Sequence, residues 1–306
     1  MNNIQLLPYI REDVFGHSTD SQQIMGWEIQ KFNIDKKWSL SQGENVTVAV
    51  IDTGCDLYHD DIKTNLVQGK NFVNPKQDPI DKNGHGTHVS STIAAENNGL
   101  GMVGVAPKTK IMPVKALNDK GSGSLSNIID AIIWSANQRV DFITMSLGSH
   151  SDSPQLHNAI KYATSKGCVI FCAAGNDGPS KDICYPAKYS ETISIGAIDK
   201  NLERTRFTCS GEELDFLAPG HEIFGAVPGN KYALMSGTSM SNPFAVGCSS
   251  LLLSYLKKIN RSKIPKTAPE YINIFKNTAI KLSNPEYRGI KKYEGYGIIL
   301  PEWNLK

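Results

Sequence analysis

Three separate segments of this 306-residue chain each carry a side chain that could take part in nucleophilic catalysis. Asp52 ends an apolar, β-branched run that is typical of a buried strand. His85 lies in a glycine-rich segment at the start of a helical run, and Ser239 lies in a glycine-flanked turn directly before another. Each signal alone is weak, because turns, caps and structural histidines use the same residue types. Together, in the order Asp, His, Ser, they predict a catalytic triad.

Four short motifs resemble those of the subtilisin-like serine proteases, the subtilases, and they occur in the same order along the chain. The motifs are Asp52-Thr53-Gly54, His85-Gly86-Thr87-His88, Ala173-Ala174-Gly175-Asn176 and Gly237-Thr238-Ser239-Met240. The resemblance extends over about residues 46 to 246 and implies a serine endopeptidase.

The resemblance implies a role for each matching residue. Ser239 would attack the substrate carbonyl, and His85 would take the serine proton and later pass it to the leaving amine. Asp52 would hold the imidazole in the correct tautomer. Asn176 and the backbone N–H of Ser239 would bind the oxyanion. His88, the second histidine of its motif, is expected to be structural.

The chain departs from the usual subtilase pattern directly after Met240. Where the family commonly has Ala-Ser-Pro-His or a close variant, this chain has Ser241-Asn242-Pro243-Phe244. These positions follow the nucleophile on its helix, so we expect altered packing rather than lost chemistry. Pro243 is expected in the first turn of that helix, where its missing N–H costs little.

The spacing of apolar residues predicts an α/β fold with a mostly parallel sheet. Strands are expected at 46–52, 110–117, 141–147, 168–173 and 192–197, and helices at 126–139, 154–166 and 239–258. Continuously apolar strands that alternate with helices indicate a sheet covered on both faces, the three-layer fold of the subtilisins. Asp52 and Asn176 then fall at or just beyond the carboxyl ends of strands, where open α/β sheets place their sites.

Composition argues against several other classes of protein. A net charge of +2 is too small to favour nucleic acid or an anionic membrane as a partner. No run of about 18 apolar residues is present, so we expect no membrane-spanning helix. The first residues lack the basic start and apolar core of a secretory signal peptide, so none is expected. The six cysteines match no zinc pattern and are interpreted as reduced, mostly buried thiols of a cytoplasmic protein.

An amino-terminal extension, residues 1–24, is expected to precede a single catalytic domain at 25–306. Its segment Leu6-Leu7-Pro8-Tyr9 resembles part of the short extension of intracellular subtilisins, which lies across the active-site cleft and inhibits until it is cleaved. Subtilases bind substrates as added extended strands, and Pro8, with a fixed φ and no N–H, would spoil the geometry for cleavage. The alternatives are a disordered tail or an edge strand docked elsewhere. The polar residues 15–23 are candidates for the activation cut.

The resemblance also implies a Ca²⁺ site in the loop that follows the His85 helix. A hard cation prefers carboxylate, amide and carbonyl oxygens. By match with the family, Asp61 and Asn98 would supply side-chain oxygens, and Glu96, Leu100 and Met102 would supply backbone carbonyls. The alternative is a plain Asn/Gly loop. A ligand from the amino-terminal region is usual in the family, but no residue there aligns securely.

Substrate-binding residues follow from the same resemblance. Ser146, Leu147 and Gly148 match the wall of the pocket for the residue before the scissile bond, and Asp177 and Cys184 match its rim and floor. An acidic rim would favour basic side chains only weakly, because an exposed charge contributes little. Cys184 is expected to be accessible to thiol reagents.

Three interpretations of the function remain at this point. The leading one is an intracellular, calcium-binding serine endopeptidase that is made as a self-inhibited precursor and acts on proteins or peptides. A dedicated protease that trims one leader peptide is the second, and a pseudoprotease that binds peptides without cutting them is the third. Intracellular relatives are often dimers, so the resemblance also suggests a homodimer. A nucleotide-binding α/β protein is excluded, because no phosphate-cradling glycine loop follows the first strand.

Overall fold

Thirteen strands and eight α-helices make up the part of the chain that the computed structural model describes, which is residues 3–14, 23–262, 264–300 and 302. The strands are β1 (Asn3–Leu6), β2 (Ile10–Val14), β3 (Thr47–Asp52), β4 (Lys70–Asn71), β5 (Lys110–Lys115), β6 (Ser122–Ser124), β7 (Phe142–Met145), β8 (Leu147–Gly148), β9 (Val169–Ala173), β10 (Thr192–Ile198), β11 (Phe216–Pro219), β12 (Ile223–Val227) and β13 (Lys231–Ser236). The helices are α1 (Trp27–Lys31), α2 (Ile34–Lys37), α3 (His85–Ala94), α4 (Leu125–Asn137), α5 (Pro154–Ser165), α6 (Thr238–Lys258), α7 (Ala268–Phe275) and α8 (Lys291–Glu294).

Seven of the strands form one parallel sheet in the order β11-β10-β9-β7-β3-β5-β4. The five strands predicted from the sequence correspond to β3, β5, β7, β9 and β10, and they are confirmed with ends that differ by one or two residues. Every residue of β7, β9 and β10 is buried. Burial on both faces of the sheet is the reason why these strands are apolar throughout rather than alternating.

Two pairs of helices pack on this sheet. α3 packs against α6, α4 packs against α5, and each pair contacts the sheet strands. Serine side chains cap α4 and α5: Ser124 accepts a hydrogen bond from the Asn127 N–H, and Ser153 accepts one from the Leu156 N–H. The predicted three-layer α/β fold is therefore confirmed. Within the described residues, no helix is both long and apolar enough to cross a lipid bilayer.

The parallel sheet brings the carboxyl ends of three neighbouring strands to one edge. Asp52 is the last residue of β3, Ser146 directly follows β7, and Asn176 lies three residues beyond β9. The register pairs Ile51 with Met145 and Met145 with Cys172, so the three strands end at the same level. This common edge is where an open α/β sheet places its functional groups.

The amino-terminal segment joins two small antiparallel sheets on either side of this edge. β1 lies between β6 and β8, with Gln5 opposite Gly148 and Leu6 opposite Leu147. β2 pairs with β13, the strand that leads directly into α6. The residues that connect β1 to β2 therefore cross the carboxyl edge of the main sheet. Residues 15–22, which hold nearly all of the predicted activation region, lie outside the described part of the chain.

Helix α6 begins at Thr238, so Pro243 lies in its second turn, and the expectation of a first-turn proline is wrong. Proline lacks the N–H that would bond to the carbonyl four residues earlier, which here belongs to Ser239. The Ser146 hydroxyl replaces that donor and reaches the Ser239 carbonyl at 3.1 Å. Phe244 follows and packs against Phe32 with ring centroids 5.6 Å apart. The residues that follow Met240 are therefore buried in the core. That they alter the packing rather than the chemistry stays a prediction.

Candidate active site

Asp52 and His85 form a fully buried, hydrogen-bonded pair. His85 is the first residue of α3, and its Nδ1 lies 2.9 Å from both carboxylate oxygens of Asp52. Gly86 permits this contact, because a Cβ at that position would lie 2.1 Å from the Gly54 carbonyl oxygen. A carboxylate only accepts hydrogen bonds, so Nδ1 carries the proton and Nε2 is left as an acceptor. Among the described residues the Nε2 atom has no hydrogen-bond partner, which leaves it available as a base.

Asp81, which the sequence analysis did not single out, holds the start of α3 in place. Its Oδ1 accepts hydrogen bonds from the N–H groups of Asn83 and Gly84 and from the Thr53 hydroxyl, at 2.8 to 3.0 Å. Its Oδ2 accepts from the N–H and the hydroxyl of Thr87, at 3.0 and 2.7 Å. One buried carboxylate thus satisfies free donors of the helix start and ties that helix to the turn after β3. An aspartate a few residues before a glycine-rich helix start was the available sequence signal.

Ser239 is the second residue of α6, where backbone N–H groups have no partner within the helix. Its hydroxyl donates a 3.4 Å hydrogen bond to the Ser146 carbonyl, rather than to the imidazole. Catalytic hydrogen bonds of this kind often close only when substrate is bound. Ser146 was predicted as part of the pocket wall, and its two contacts with Ser239 also place it behind the nucleophile.

Asn176 has its side-chain amide oriented by Thr238. The amide oxygen accepts hydrogen bonds from both the N–H and the hydroxyl of Thr238, each at 2.8 Å. The amide nitrogen therefore faces the cleft, where it donates a 2.6 Å hydrogen bond to the Pro8 carbonyl. Gly175 makes the preceding turn possible, because it has a φ of +121° and a Cβ there would lie 2.8 Å from the Cys209 sulfur. The geometry suits a donor to an oxyanion beside Ser239.

His88 is separated from the chemistry. It is fully buried, its Nε2 hydrogen-bonds the Ile223 carbonyl at 3.0 Å, and burial lowers its pKa to about 3. It therefore stays neutral and serves packing, in agreement with its predicted structural role. Asn242, another departure from the family pattern, donates to Thr144 at 2.8 Å, to the carbonyl of Met145 at the end of β7 and to that of Phe171 in the middle of β9. It links α6 to the sheet.

Leu7 occupies the pocket predicted for the substrate residue before the scissile bond. Its side chain is buried with Ala173 and Cys184. A Cβ on Gly148 would lie 3.0 Å from Leu7 and 2.9 Å from the Cβ of Cys184, so the glycine makes room for the side chain. Cys184 is only 2 % exposed, and the expectation that it is accessible is wrong in this state, because Leu7 covers it.

The other predicted pocket residues are divided between wall, rim and core. Leu147 is buried in the main core, although its backbone pairs with Leu6. Asp177 lies at the rim, where its carboxylate is 3.1 Å from His150 Nε2. Tyr9 covers the other side of the site: its ring centroid is 5.0 Å from that of His85. Burial, followed by the charge of Asp52, raises the pKa of the Tyr9 hydroxyl.

The predicted calcium ligands lie around a residue that the sequence analysis could not align, Gln23. The side-chain amide nitrogen of Gln23 donates to the carbonyl oxygens of Glu96, Leu100 and Met102, at 2.5, 2.9 and 2.9 Å. These are the three carbonyls predicted to bind the ion. A partly positive NH₂ group thus stands where three carbonyls converge, which is the position that a cation requires.

Asp61 and Asn98 complete the set of oxygens around this loop. Asp61 is buried; its Oδ2 accepts from the Met102 N–H and from Tyr232, at 2.8 and 2.9 Å. Burial raises the pKa of its carboxyl. Asn98 accepts from the Leu100 N–H at 2.9 Å. Carbonyl, amide and carboxylate oxygens are the donors that Ca²⁺ prefers, so the residues present fit this ion.

Comparison with known proteins identifies the family and relatives of this chain. Residues 43–297 match the family model described as the subtilase family. The chain is 42% identical over 273 residues to an intracellular serine protease of Paenibacillus polymyxa, which covers 86% of this chain and 81% of the relative. It is 37% identical over 274 residues to the major intracellular serine protease of Bacillus subtilis strain 168, covering 86% of this chain and 85% of the relative. Subtilisin DY of Bacillus licheniformis is 39% identical over 251 residues, covering 81% of this chain and 88% of the relative.

The family match covers the strand that ends at Asp52, the helix that begins at His85 and the helix that carries Ser239. These are the elements that the sequence motifs indicated, and the structure brings them to one edge of the sheet. The protein therefore belongs to the subtilase family and is a serine endopeptidase.

Proposed function

We propose that this endopeptidase is a cytoplasmic, calcium-binding protease that is held inactive by its own amino-terminal extension. The observation that carries the proposal is the 2.6 Å hydrogen bond from Asn176 Nδ2 to the carbonyl of Pro8. The extension occupies the donor that would otherwise stabilise the oxyanion of a substrate. Two of the relatives described above are named as intracellular proteases, which supports a cytoplasmic location.

We assign the catalytic roles by resemblance to the family, and the hydrogen bonds of Asp52 with His85 support the assignment. His85 Nε2 accepts the proton of the Ser239 hydroxyl as Oγ attacks the substrate carbonyl, and the same proton is later passed to the leaving amine. Asp52 stabilises the imidazolium that forms in between. The negative charge on the substrate oxygen is bound by Asn176 Nδ2 and the Ser239 N–H. Water then attacks the acyl-enzyme, with His85 again acting as the base.

The extension resembles a bound substrate but is offset by one residue. Leu6 pairs with the pocket wall and Leu7 fills the pocket, as substrate residues before the scissile bond would. In a productive complex the residue in the pocket presents its own carbonyl to the oxyanion donors. Here the carbonyl bound to Asn176 belongs to the next residue, Pro8. Leu7 and its carbonyl are therefore not placed together for attack.

Attachment to the enzyme makes even a weak inhibitor effective. The extension is anchored on both sides of the cleft, by β1 between β6 and β8 and by β2 against β13. A covalently linked segment competes at a high effective concentration, which raises apparent affinity by about 100-fold or more. Substrate would enter only after the link between Val14 and Gln23 is cut, which agrees with the predicted cut in the polar residues 15–23.

Calcium has a structural role in this proposal. Glu96, Leu100 and Met102 would bind the ion through their carbonyls, and Asp61, Asn98 and Gln23 through side-chain oxygens. Gln23 would do so after its amide turns over, because the same pocket that now holds its NH₂ group would then receive its oxygen. The ion would supply no chemistry to the hydrolysis. It would instead tie the segment before α1 to the loop after α3 and favour the folded state.

The decisive experiment compares three proteins on a mixed peptide library in the presence of calcium. They are the full chain, the chain that begins at Gln23, and the latter carrying Ser239→Ala. We expect the shortened chain to cleave about 100-fold faster than the intact one, and the alanine variant to cleave nothing. Equal rates for the full and the shortened chain would reject self-inhibition. Cleavage by the alanine variant would reject the triad.

The same measurement separates a general protease from a dedicated processing protease. Cuts at many sites in casein-like proteins support the first, and a single cut in one partner supports the second.

The oligomeric state is a separate expectation. We propose a homodimer by resemblance to intracellular relatives, and light scattering of the purified full chain at several concentrations tests it. A constant monomer mass would reject the dimer.

A further inference from the structure

Three side chains with metal-binding atoms converge at the rim of the pocket that Leu7 fills. They are His150, Asp177 and Cys184, and their ligand atoms all lie within 4.8 Å of one another. His150 Nε2 is 3.1 Å from Asp177 Oδ2. The Cys184 sulfur is 3.8 Å from His150 Nδ1 and 4.0 Å from Nε2. His150 follows β8, whereas Asp177 and Cys184 lie in the loop between β9 and β10, so the fold brings two separate loops together.

The combination of one imidazole, one carboxylate and one thiol is typical of zinc. Zinc binds nitrogen and oxygen at about 2.0 to 2.2 Å and thiolate sulfur at about 2.3 Å, usually in a tetrahedron. Ligand atoms of such a tetrahedron lie roughly 3.2 to 3.7 Å apart. The separations of 3.1 and 4.0 Å from His150 Nε2 differ from that range by only a few tenths of an ångström. The third separation, between Asp177 and Cys184, is at most 4.8 Å, so the side chains would close around an ion with movements of about 1 Å or less.

We propose that His150, Asp177 and Cys184 form a Zn²⁺ site, with one coordination position left for water. Binding would release the thiol proton of Cys184 to solvent, and the thiolate and the Asp177 carboxylate would balance the charge of the ion. The exposed rim gives the ion access, because the side chains of His150 and Asp177 are 56% and 33% exposed. His150 also lines a surface cavity of about 570 Å³.

Several neighbouring groups surround the three ligands. The sulfurs of Cys184 and Cys209 both lie beside Gly175, within 3.0 Å of where its Cβ would be, and the Cys209 sulfur accepts a 3.4 Å hydrogen bond from the Asp177 N–H. Lys181 and Lys188 line the adjoining cavity and disfavour a cation there. Lys188 is paired with Asp182 at 3.2 Å, which reduces that effect.

The position of the site gives it a consequence for proteolysis, and this part rests on the proposed function. Asp177 directly follows the oxyanion donor Asn176, and Cys184 touches the side chain in the substrate pocket. An ion held there would narrow the pocket and compete with the substrate side chain. Zinc would accordingly act as a reversible inhibitor of the mature protease at a place separate from His85 and Ser239.

The binding test uses Co²⁺ as a spectroscopic substitute for zinc, in saturating calcium with a non-thiol reductant. It is added to the Ser239→Ala protein in two forms, the full chain and the chain that begins at Gln23, which lacks Leu7 and so leaves Cys184 uncovered. We expect visible bands of tetrahedral cobalt and a thiolate-to-cobalt charge-transfer band in the near ultraviolet. Cys184→Ser should remove the charge-transfer band, and His150→Gln should weaken binding by at least about 10-fold, the smallest loss expected for a ligand.

Matched controls are available for both ligands. Cys168→Ser changes a buried thiol whose sulfur donates to the Val140 carbonyl, and His157→Gln changes a histidine paired with Glu191. Both should leave the cobalt spectrum as it is in the parent. A spectrum without the charge-transfer band, or one that Cys184→Ser leaves intact, would overturn the site. Because the protein tested is inactive, this result does not depend on the proposed function.

The inhibition test uses Zn²⁺ on the active chain that begins at Gln23, compared with the same chain carrying His150→Gln. We expect zinc to raise KM with little change in kcat, and the variant to need at least about 10-fold more zinc for the same effect. His157→Gln should behave as the parent. Cobalt binding at Cys184 together with equal zinc inhibition of parent and His150→Gln would overturn the inhibitory role while leaving the site.

Discussion

Asn176 donates its side-chain hydrogen bond to the carbonyl of Pro8 at 2.6 Å, while the side chain in the adjoining pocket is that of Leu7. The side chain in the pocket therefore comes from Leu7, whereas the carbonyl bound to Asn176 comes from the next residue, Pro8. A substrate would present both from the same residue. Under the proposed self-inhibition, this offset would distinguish a segment that blocks the cleft from one that is cut there, and the fixed φ of Pro8 would oppose a shift of the backbone by one residue.

The offset predicts that Pro8→Ala makes the protease cleave its own extension faster. Alanine at this position frees φ and restores an N–H, so the chain can adopt the register in which Leu7 presents its own carbonyl to Asn176. We expect faster self-cleavage directly after Leu7. Intact-mass spectrometry of the protein over time, in the presence of calcium, measures this cleavage. Pro75→Ala, which changes an exposed proline elsewhere, serves as the control. An extension that survives as long in Pro8→Ala as in the parent would contradict the role of the proline.

Asn176→Leu in the chain that begins at Gln23 should lower kcat by about 100- to 1,000-fold, the range known for loss of the equivalent side-chain donor in a subtilisin. KM should change little, because the donor acts on the oxyanion rather than on the bound substrate. Steady-state kinetics on one peptide decides this. A rise in KM with unchanged kcat would show that Asn176 only positions the ground state.

Gln23→Ala should reduce the stabilisation that calcium provides. The measurement is the rise in melting temperature on adding Ca²⁺ to the Ser239→Ala protein, compared with and without the second change. An ion at 100 times its Kd adds about 2.7 kcal/mol to the parent. We expect this increment to shrink in Gln23→Ala and to persist in Gln77→Ala, an exposed glutamine. Comparing the rise in melting temperature on adding calcium, rather than the melting temperature itself, isolates ion binding. The loss of the hydrogen bonds that Gln23 makes without the ion lowers the starting value instead.

Glu28 predicts a pH dependence of stability. It is buried in α1, its Oε2 has no hydrogen-bond partner in the described part of the chain, and burial raises its pKa to about 7. The folded state holds this proton more tightly than the unfolded state, whose carboxyl has a pKa near 4.5. The stabilisation is therefore complete below the unfolded pKa and is lost as pH rises through the folded one, at up to about 1.4 kcal/mol per pH unit.

Glu28→Gln removes this titration while keeping the size of the side chain. In the Ser239→Ala background, we expect the two proteins to be about equally stable at acid pH and the glutamine variant to gain as pH rises towards 7. Chemical unfolding across that range measures the difference, and titration of His88 and other groups cancels because both proteins share it. A difference that does not vary with pH would disprove the assignment.

The sequence alone determined the chemistry and the framework of this protein. Buried parallel strands such as β9 are apolar throughout, and the motifs around Asp52, His85 and Ser239 are short, so each could be interpreted within a few residues. The apolar runs predicted the ends of five strands to within two residues. Pro243 was misplaced by one turn because the first residue of a helix depends on its cap and on contacts such as Ser146, which lies 97 positions earlier.

Only the tertiary structure decided which distant groups meet. Gln23 reaches carbonyls 73 to 79 positions away, Asn176 reaches Pro8 across 168 positions, and His150 meets Cys184 across 34. Asp81 became important only when its two oxygens were seen to bind both α3 and the turn after β3. Local sequence patterns predict the secondary structure and the chemical type of a residue, because both depend on the backbone conformation and burial at that position. The identity of its partners depends on how the sheet and its loops bring separate segments together.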